Sequence, residues 1–453
     1  MTSPAVPGRR LRVLLGVHQF FPCHGTGTEV LTLELARGLR ERGNEVRIVS
    51  GAADPTWRVD HPPRWTTDEY DGFQVRRLHF GSARGGDTVT PDFRAPERVR
   101  LLQGVAEEER PDIVHFLHLK PFSAEAIPVL AGGGFPVLFT PTDYWTVCPT
   151  TMLVRRDGKN CDGPSDPALC LECLRPVPRA LARVLLLAGR TPLRHLGGRM
   201  AALEALGRRA EEMSRRVNAA SAILPATQYL SDVLVRHGVV PGKIRVLGYG
   251  VRLGALPPPV PIPDRFDEAS PLRIGFIGTL SKLKGPHVPL ESVSLLPDPR
   301  RVLLEIYGNA EETDPYFRFL REKASRLGAS VRFRGTFPHE RIGEILRGLH
   351  LLVVPSLWYE STPLVLCSAL AAGTPALVSR LGGMTEVIDE GRNGYSFSAG
   401  DPEALGLRIR QILDHPDGFR SLRENFPVRE RPVERYVDDV EREYERALRE
   451  GKA

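Results

Sequence analysis

The sequence predicts an α/β protein of two doubly wound domains, and three observations carry that prediction. Short β-branched runs alternate with helix-like patterns, as in parallel sheets covered on both faces. The alternation stops at the proline-dense stretch LGALPPPVPIPDRFDEASP, residues 253–271, and then starts again. At 453 residues the chain also exceeds the size, about 250–300 residues, at which a single core stops growing. The expected domains are therefore 1–252 and 272–430, joined by a linker over 253–271 and closed by a helix over 431–453.

Taken in order, LRVLLGV (11–17), EVRIVS (45–50), DIVHFLH (112–118), PVLFTPT (136–142), AILPAT (222–227) and IRVLG (244–248) read as strands of the first domain. Leu31, Leu35 and Leu39 at i, i+4 spacing place a helix after the first strand. In the second domain LRIGFIG (272–278), RVLLEIYG (301–308), VRFRG (331–335), LLVVPS (351–356) and PALVSR (375–380) read the same way. Val433, Tyr436, Val437, Val440 and Tyr444 make the closing helix amphipathic. The cleft between two such domains is the default active site.

A hydrophobic fraction of 42% and a charged fraction of 26% describe an ordinary soluble globular protein. A net charge of +6 permits an anionic ligand or an anionic membrane surface without demanding nucleic acid. Leu11–Val17 is too short and too charged for a signal-peptide core, and no run of 18 apolar residues exists. Four of the six cysteines cluster between 148 and 173, which points to a cytosolic protein with one thiol cluster.

Three stretches carry chemistry. In CHGTGTEV (23–30), Gly25 and Gly27 let backbone amides approach a phosphate at a helix N-terminus, although a flexible strand-to-helix loop reads equally well. Val30 sits where a dinucleotide fingerprint needs its third glycine, and the seven residues His18–His24 make the turn too long for one. A nicotinamide dehydrogenase is thereby disfavoured. In GTLSKLKG (278–285), Lys284 and Lys282 can neutralise a diphosphate, against the commoner state of an isolated lysine, solvated at the surface. In SLWYESTPLVLCSALAAGTP (356–375), Thr362 can cap a helix and Pro363 suits its first position, so Glu360 and the helix N-terminus share one rim. Glu360 can accept from sugar hydroxyls while the next amides hold phosphate; alone, it reads equally as a helix-start acid.

These stretches, with the long block VVPSLWYESTPLVLCSALAAGTPALVSRLGGMTEVIDEGRNGYSF (353–397), resemble family 4 of the retaining glycosyltransferases over nearly the whole chain. The resemblance implies the GT-B fold, two doubly wound Rossmann-like domains facing each other across a cleft. It places Gly25, Thr26, Gly27 and Thr28 over the donor diphosphate and Lys284 on the same group, with Lys282 sharing the duty of an arginine that is Thr279 here. Glu360 would contact the transferred sugar, the amides near Thr362, Pro363 and Leu364 the phosphate, and His118 the sugar beside its reacting carbon. Ser368 stands where the family has a second glutamate gripping the ribose. Residues 364 and 368 lie one turn apart, so position 368 still points to the ligand rim, but a serine there forfeits charge-assisted bonds of roughly 1.5–3 kcal/mol.

Between 143 and 174, Cys148, Cys161, Cys170 and Cys173 are spaced C-x12-C-x8-C-x2-C. Four thiolates suit a tetrahedral structural zinc; iron–sulfur ligation, a redox disulfide or four unrelated thiols remain open. Family members resembling this chain carry a similar insertion, about 144–220 here, which would put Asp143 on the acceptor side. Residues 175–216 hold ten arginines (175, 179, 183, 190, 194, 199, 208, 209, 215, 216) against three glutamates. Such an arm fits an anionic membrane surface, or equally a solvated helix face over a packed core. It lacks the aromatic residues that would stack nucleic-acid bases.

The expected activity is transfer of a sugar, with anomeric retention, from a nucleoside diphosphate (UDP or GDP) to a hydroxyl of a lipid-linked or saccharide acceptor. The setting would be cell-surface polysaccharide, glycolipid or glycoconjugate synthesis, in the cytoplasm or peripherally at the inner membrane face. No catalytic metal and no nucleic-acid partner are expected. The alternative is a catalytically weak or inactive nucleotide-sugar-binding protein, suggested by Ser368.

Overall fold

The computed structural model describes residues 10–52, 62–81, 89–174, 197–309, 311–427 and 431–451. The chain divides into two compact units, one of residues 1–248 with 434–453 and one of residues 249–433.

In the first unit, strands β1 (Arg12–Val17), β2 (Glu45–Ala52), β3 (Arg64–Tyr70), β4 (Phe73–His79), β5 (Ile113–Phe116), β6 (Val137–Phe139) and β7 (Ala222–Ile223) form one sheet in the order β3-β4-β2-β1-β5-β6-β7. Every neighbouring pair is parallel except β3 with β4. Val13, Leu14, Leu15 and Val17 of β1 are all buried, because a parallel strand covered on both faces needs a continuous apolar run rather than alternation. Gly16 admits the ring of Phe116 from β5; a Cβ there would lie 2.3 Å from it.

Helix α1 (Gly27–Glu41) follows β1 and buries Leu31, Leu35 and Leu39 as their spacing predicts. The closing helix runs over Val433–Glu450 and buries Val433, Tyr436, Val437, Val440 and Tyr444. It belongs to the first unit, where Gly38 makes room for Val437 and Tyr444 hydroxyl meets His115 Nδ1 of β5 at 2.8 Å.

One local expectation fails, and one element was not expected. IRVLG forms no strand and contributes only an isolated bridge between Ile244 and Ile223. The β3–β4 hairpin was not expected, although its turn is Asp71-Gly72 with both residues at positive φ (54° and 73°), the geometry and sequence of a two-residue hairpin turn.

In the second unit, β8 (Leu272–Ile277), β9 (Val302–Tyr307), β10 (Val331–Gly335), β11 (Leu351–Val354), β12 (Ala376–Ser379) and β13 (Gly394–Phe397) form an all-parallel sheet in the order β10-β9-β8-β11-β12-β13. Each sheet reverses its winding once, between β1 and β5 in the first unit and between β8 and β11 in the second. At such a reversal the crossover helices leave in opposite directions and open a crevice at the strands' carboxyl ends, where α/β proteins bind ligands.

Candidate functional site

The expected site residues gather at these two reversals, one group per unit. In the second unit, β8 leads into a 3-10 turn Lys282–Lys284 in which the Lys284 N–H donates to the N-cap Ser281 Oγ. Gly285 ends the turn at φ +70°, and a Cβ there would lie 2.2 Å from the Pro355 carbonyl oxygen. The turn therefore packs directly on the segment leaving β11, and Leu357 N–H donates to the Leu283 carbonyl at 2.7 Å. This brings Lys284 Nζ to Glu360 Oε1 at 2.6 Å. The same carboxylate oxygen accepts from Ser356 Oγ at 2.7 Å and Trp358 Nε1 at 2.9 Å. Glu360 is only 5% exposed, so burial of its charge is offset by three donors, one of them cationic.

Its backbone is fixed from behind. Gly383 N–H donates to the Glu360 carbonyl at 3.0 Å, and Gly382 at φ +56° leaves no space for a Cβ beside that carbonyl. The expected cap is displaced by one residue. Pro363, in extended conformation, is the N-cap of helix Leu364–Ala371, and no side chain caps it. Thr362 Oγ1 instead donates to the Ser361 carbonyl at 2.5 Å, because a proline at the cap position has already set the chain's entry. The first amides of this helix are left for an anion to meet. Ser368 lies one turn along the same helix and is buried. Lys282 is exposed. Sequence reasoning missed Ser356 and Trp358, which stand within four residues of Glu360.

In the first unit, His118 follows β5 and His18 follows β1, in register with it. Their ring centroids are 4.5 Å apart. Lys120 N–H donates to His118 Nδ1 at 3.1 Å, which makes Nδ1 an acceptor and leaves the proton on Nε2, 3.1 Å from Asp143 Oδ2. Asp143 Oδ1 accepts from Trp145 N–H at 2.8 Å. Burial pushes the Asp143 carboxyl up, but His118 and the Trp145 amide outweigh it and hold it below the usual carboxylate range. Burial, reinforced by His118, pushes His18 down to about 3, so its imidazole is neutral at pH 7.

The glycine loop differs from expectation at Thr26. Its N–H and hydroxyl both donate to Glu29 Oε2, at 2.8 and 2.6 Å, so its amide is committed to a capping interaction. Gly27 and Thr28 open α1, and helix geometry leaves their amides without intrahelical partners. Gly25 is exposed and sits over the Phe21 ring, 2.5 Å from where its Cβ would be. Thr28 Oγ1 donates to Thr142 Oγ1 at 2.9 Å, tying the loop to the Asp143 turn.

Cys148, Cys161, Cys170 and Cys173 are free thiols lining one cavity of about 30 Å³. Among the described residues no group of three or more histidine, cysteine, aspartate or glutamate side chains is arranged to hold a metal ion. The element is anchored by Arg209, 2% exposed on helix Gly197–Val217, whose guanidinium donates to Asp92 at 3.0 Å and to the carbonyls of Trp145, Thr146 and Val147. Arg209 is thus a buried staple rather than part of a solvated or membrane-facing surface. Arginines 175, 179, 183, 190 and 194, with the apolar residues between them, lie outside the described residues. No described helix is long and apolar enough to cross a membrane.

Two doubly wound sheets, each with polar groups at its reversal, define a GT-B glycosyltransferase architecture, and solved structures share it. Anabaena HepE in complex with UDP superposes with a TM-score of 0.61 at 15% identity, over 95% of this chain and 99% of that one. Sucrose-phosphate synthase from Thermosynechococcus elongatus gives 0.61 at 17% identity over 98% of both. The Glycosyltransferase Family 4 model matches residues 25–254 and the Glycosyl transferases group 1 model residues 264–429; the chain belongs to glycosyltransferase family 4. D-inositol 3-phosphate glycosyltransferase of Streptomyces coelicolor is 31% identical over 226 residues, 44% of this chain and 49% of that protein. The Corynebacterium urealyticum protein of the same name is 35% identical over 161 residues, 34% and 38%. The chain spans about half or less of the length of these curated relatives.

Proposed function

We propose that the chain transfers a hexosyl group from a nucleoside-diphosphate sugar to an acceptor hydroxyl, with retention at the anomeric carbon. The observation that carries this reading is the Lys284–Glu360 pair beside an uncapped helix N-terminus, at the reversal of the second sheet. One cation and a set of amides suit a diphosphate, and one buried carboxylate suits sugar hydroxyls. Solved relatives of the same fold carry UDP and UDP-glucose, which supports UDP over GDP as the nucleotide. A lipid-linked or saccharide acceptor in cell-surface glycoconjugate synthesis, and peripheral attachment to an anionic membrane, complete the proposal.

In this mechanism the anomeric C–O bond to the diphosphate breaks, and the acceptor oxygen bonds to the same face of that carbon. The acceptor proton passes to the departing phosphate oxygen. Lys284, the helix amides near Leu364 and the amides of Gly27 and Thr28 stabilise the developing charge; Glu360 and His118 hold the sugar. Positioning and preorganised electrostatics supply the rate, and no step requires a catalytic metal. The cysteine element is proposed to bind a structural zinc, for which its four thiols would have to draw together around their shared cavity. Ser368 supports the rival reading of a nucleotide-sugar-binding protein without turnover. Release of nucleoside diphosphate in the presence of acceptor, measured with UDP-glucose first, separates the two.

A further inference from the structure

The β3–β4 hairpin has no part in the reading above, yet its side chains reach the segment that leads into the glycine loop. Residues 18–26, between β1 and α1, form neither strand nor helix, so side chains decide where the segment sits. Two groups of the hairpin meet it at Phe21. Tyr70, the last residue of β3, stacks on the Phe21 ring with centroids 5.1 Å apart and planes 11° from parallel, a favourable aromatic geometry. Arg77 of β4 donates through Nη2 to the Phe21 carbonyl at 2.6 Å and through Nε to Asp68 Oδ2 of β3 at 2.6 Å. Asp68 thereby orients the guanidinium that holds the loop. Phe20, 1% exposed, sets its edge against both rings, at 5.5 and 5.9 Å.

Phe21 in turn supports Gly25. A Cβ at Gly25 would lie 2.5 Å from the Phe21 ring, so the loop backbone rests directly on that ring, two residues before Gly27. The turn of the hairpin is tied to α1 as well. Arg37 donates to both oxygens of Asp71, Nε to Oδ2 at 2.8 Å and Nη2 to Oδ1 at 3.1 Å, the strong bidentate arrangement. Arg40 donates to the Asp71 carbonyl at 2.7 Å, and its guanidinium carbon lies 4.0 Å from the Phe73 ring centroid. The chain is thus gripped at Phe21 and then enters a helix that the same hairpin holds further along. Pairing of the hairpin itself needs none of these contacts, since β3 and β4 pair along their whole length, from Arg64 with His79 to Tyr70 with Phe73.

We propose that the β3–β4 hairpin braces the glycine loop, with Tyr70 and Arg77 as positioning residues that hold Phe21 beneath Gly25 and so present the Gly27 and Thr28 amides to the donor diphosphate. This rests on the assignment of the glycine loop to the diphosphate, but it has its own readout. Loss of the Tyr70 ring frees the Phe21 side chain, and loss of the Arg77 guanidinium frees its carbonyl. Either change removes the floor on which Gly25 lies.

The test is hydrogen–deuterium exchange of the full chain, read on peptides covering residues 20–28, alongside the rate of UDP release from UDP-glucose with water as acceptor. Wild type is compared with Tyr70→Ala, Tyr70→Phe and Arg77→Leu. Tyr70→Ala and Arg77→Leu should each speed exchange over 20–28 at least tenfold, leave β1 and β5 protected, and slow UDP release at least fivefold. Tyr70→Phe keeps the stacked ring and should match wild type in both. If Tyr70→Ala does not fold, Tyr70→Leu, which keeps apolar volume and loses the flat ring, is read in the same way. Unchanged exchange over 20–28 in the folded variants overturns the brace. Faster exchange with wild-type UDP release overturns the positioning role and leaves the contacts structural. If the wild-type chain releases no UDP, the UDP-glucose reading fails while the exchange still decides whether the hairpin holds the loop.

Discussion

Lys284 and Glu360, 76 residues apart in sequence, meet at 2.6 Å through Nζ and Oε1. Sequence considerations gave them separate duties on the two halves of a donor. Their contact makes them one electrostatic unit in which each neutralises the other; in the proposed donor complex a diphosphate and a sugar would divide the pair between them. A buried carboxylate without its cation would be costly, so the lysine also keeps Glu360 in its binding geometry.

Lys284→Met should reduce transfer at least a hundredfold and lower stability by about 1–2 kcal/mol, below the roughly 3–5 kcal/mol of a fully buried broken pair because the lysine is part-exposed. In the double variant Lys284→Met/Glu360→Gln, stability should recover and activity should not. A chemical-denaturation cycle alongside a transfer assay checks both. Full turnover in Lys284→Met would remove the pair from the donor site.

Trp358→Phe keeps the aromatic face near Lys284 but deletes the indole donor to Glu360. A hydrogen bond to a charged group contributes about 1.5–3 kcal/mol, so donor affinity should fall about tenfold or more while Lys284 stays in place. Calorimetric titration with a nucleoside-diphosphate sugar measures it. An unchanged dissociation constant would make the indole bond incidental to binding.

Ser368→Ala should weaken donor binding only about two- to twelvefold, corresponding to the roughly 0.5–1.5 kcal/mol of one neutral hydrogen bond. A loss of several hundredfold would show that the hydroxyl does the work of the missing glutamate.

His115 is buried between Tyr444 and Thr140, and burial pushes it down to about 3. Its folded pKa lies below the unfolded value of about 6.5, so below that pH the unfolded chain binds a proton that the native chain refuses. Stability should therefore fall as pH drops from about 6.5 towards 3, by about 2 kcal/mol at pH 5 from this residue alone. Melting curves at pH 7.5 and 5 test it; the slope should flatten in His115→Gln, and an equal slope would assign the acid sensitivity elsewhere.

Metal analysis decides the cysteine element. One zinc per chain, with a lower melting temperature after chelation, is the expected result. Metal-free protein in which all four thiols react would leave them as packing residues.

The doubly wound fold was legible because central parallel strands are apolar on both faces, and β1 and β11 read as such from composition alone. The edge hairpin was not, since β3 is exposed at Arg64 and from Thr66 to Glu69 and carries no buried stripe; only Asp71-Gly72 betrays it. At the site, Glu360, Lys284, His118 and Asp143 were named from motifs, but that Lys284 meets Glu360 and His118 meets Asp143 was not, nor were the further partners Ser356, Trp358 and His18. Trp358 and Ser356 look like strand-end residues until the loop folds back, and His18 meets His118 only through the β1–β5 register. The Thr362 cap failed because propensity favours threonine there, while Pro363 had already fixed the local backbone.

A thermal-shift titration of UDP, GDP, ADP, TDP and CDP, each with its common sugar conjugates, on wild-type and Lys284→Met protein tests whether Lys284 and Glu360 form a nucleotide-sugar site. A ligand at a hundred times its dissociation constant stabilises by about 2.7 kcal/mol. The expected result is a shift selective for one nucleotide, UDP foremost, that Lys284→Met abolishes. A folded wild-type chain that shifts with none of them, or a shift that survives the loss of Lys284, would contradict it.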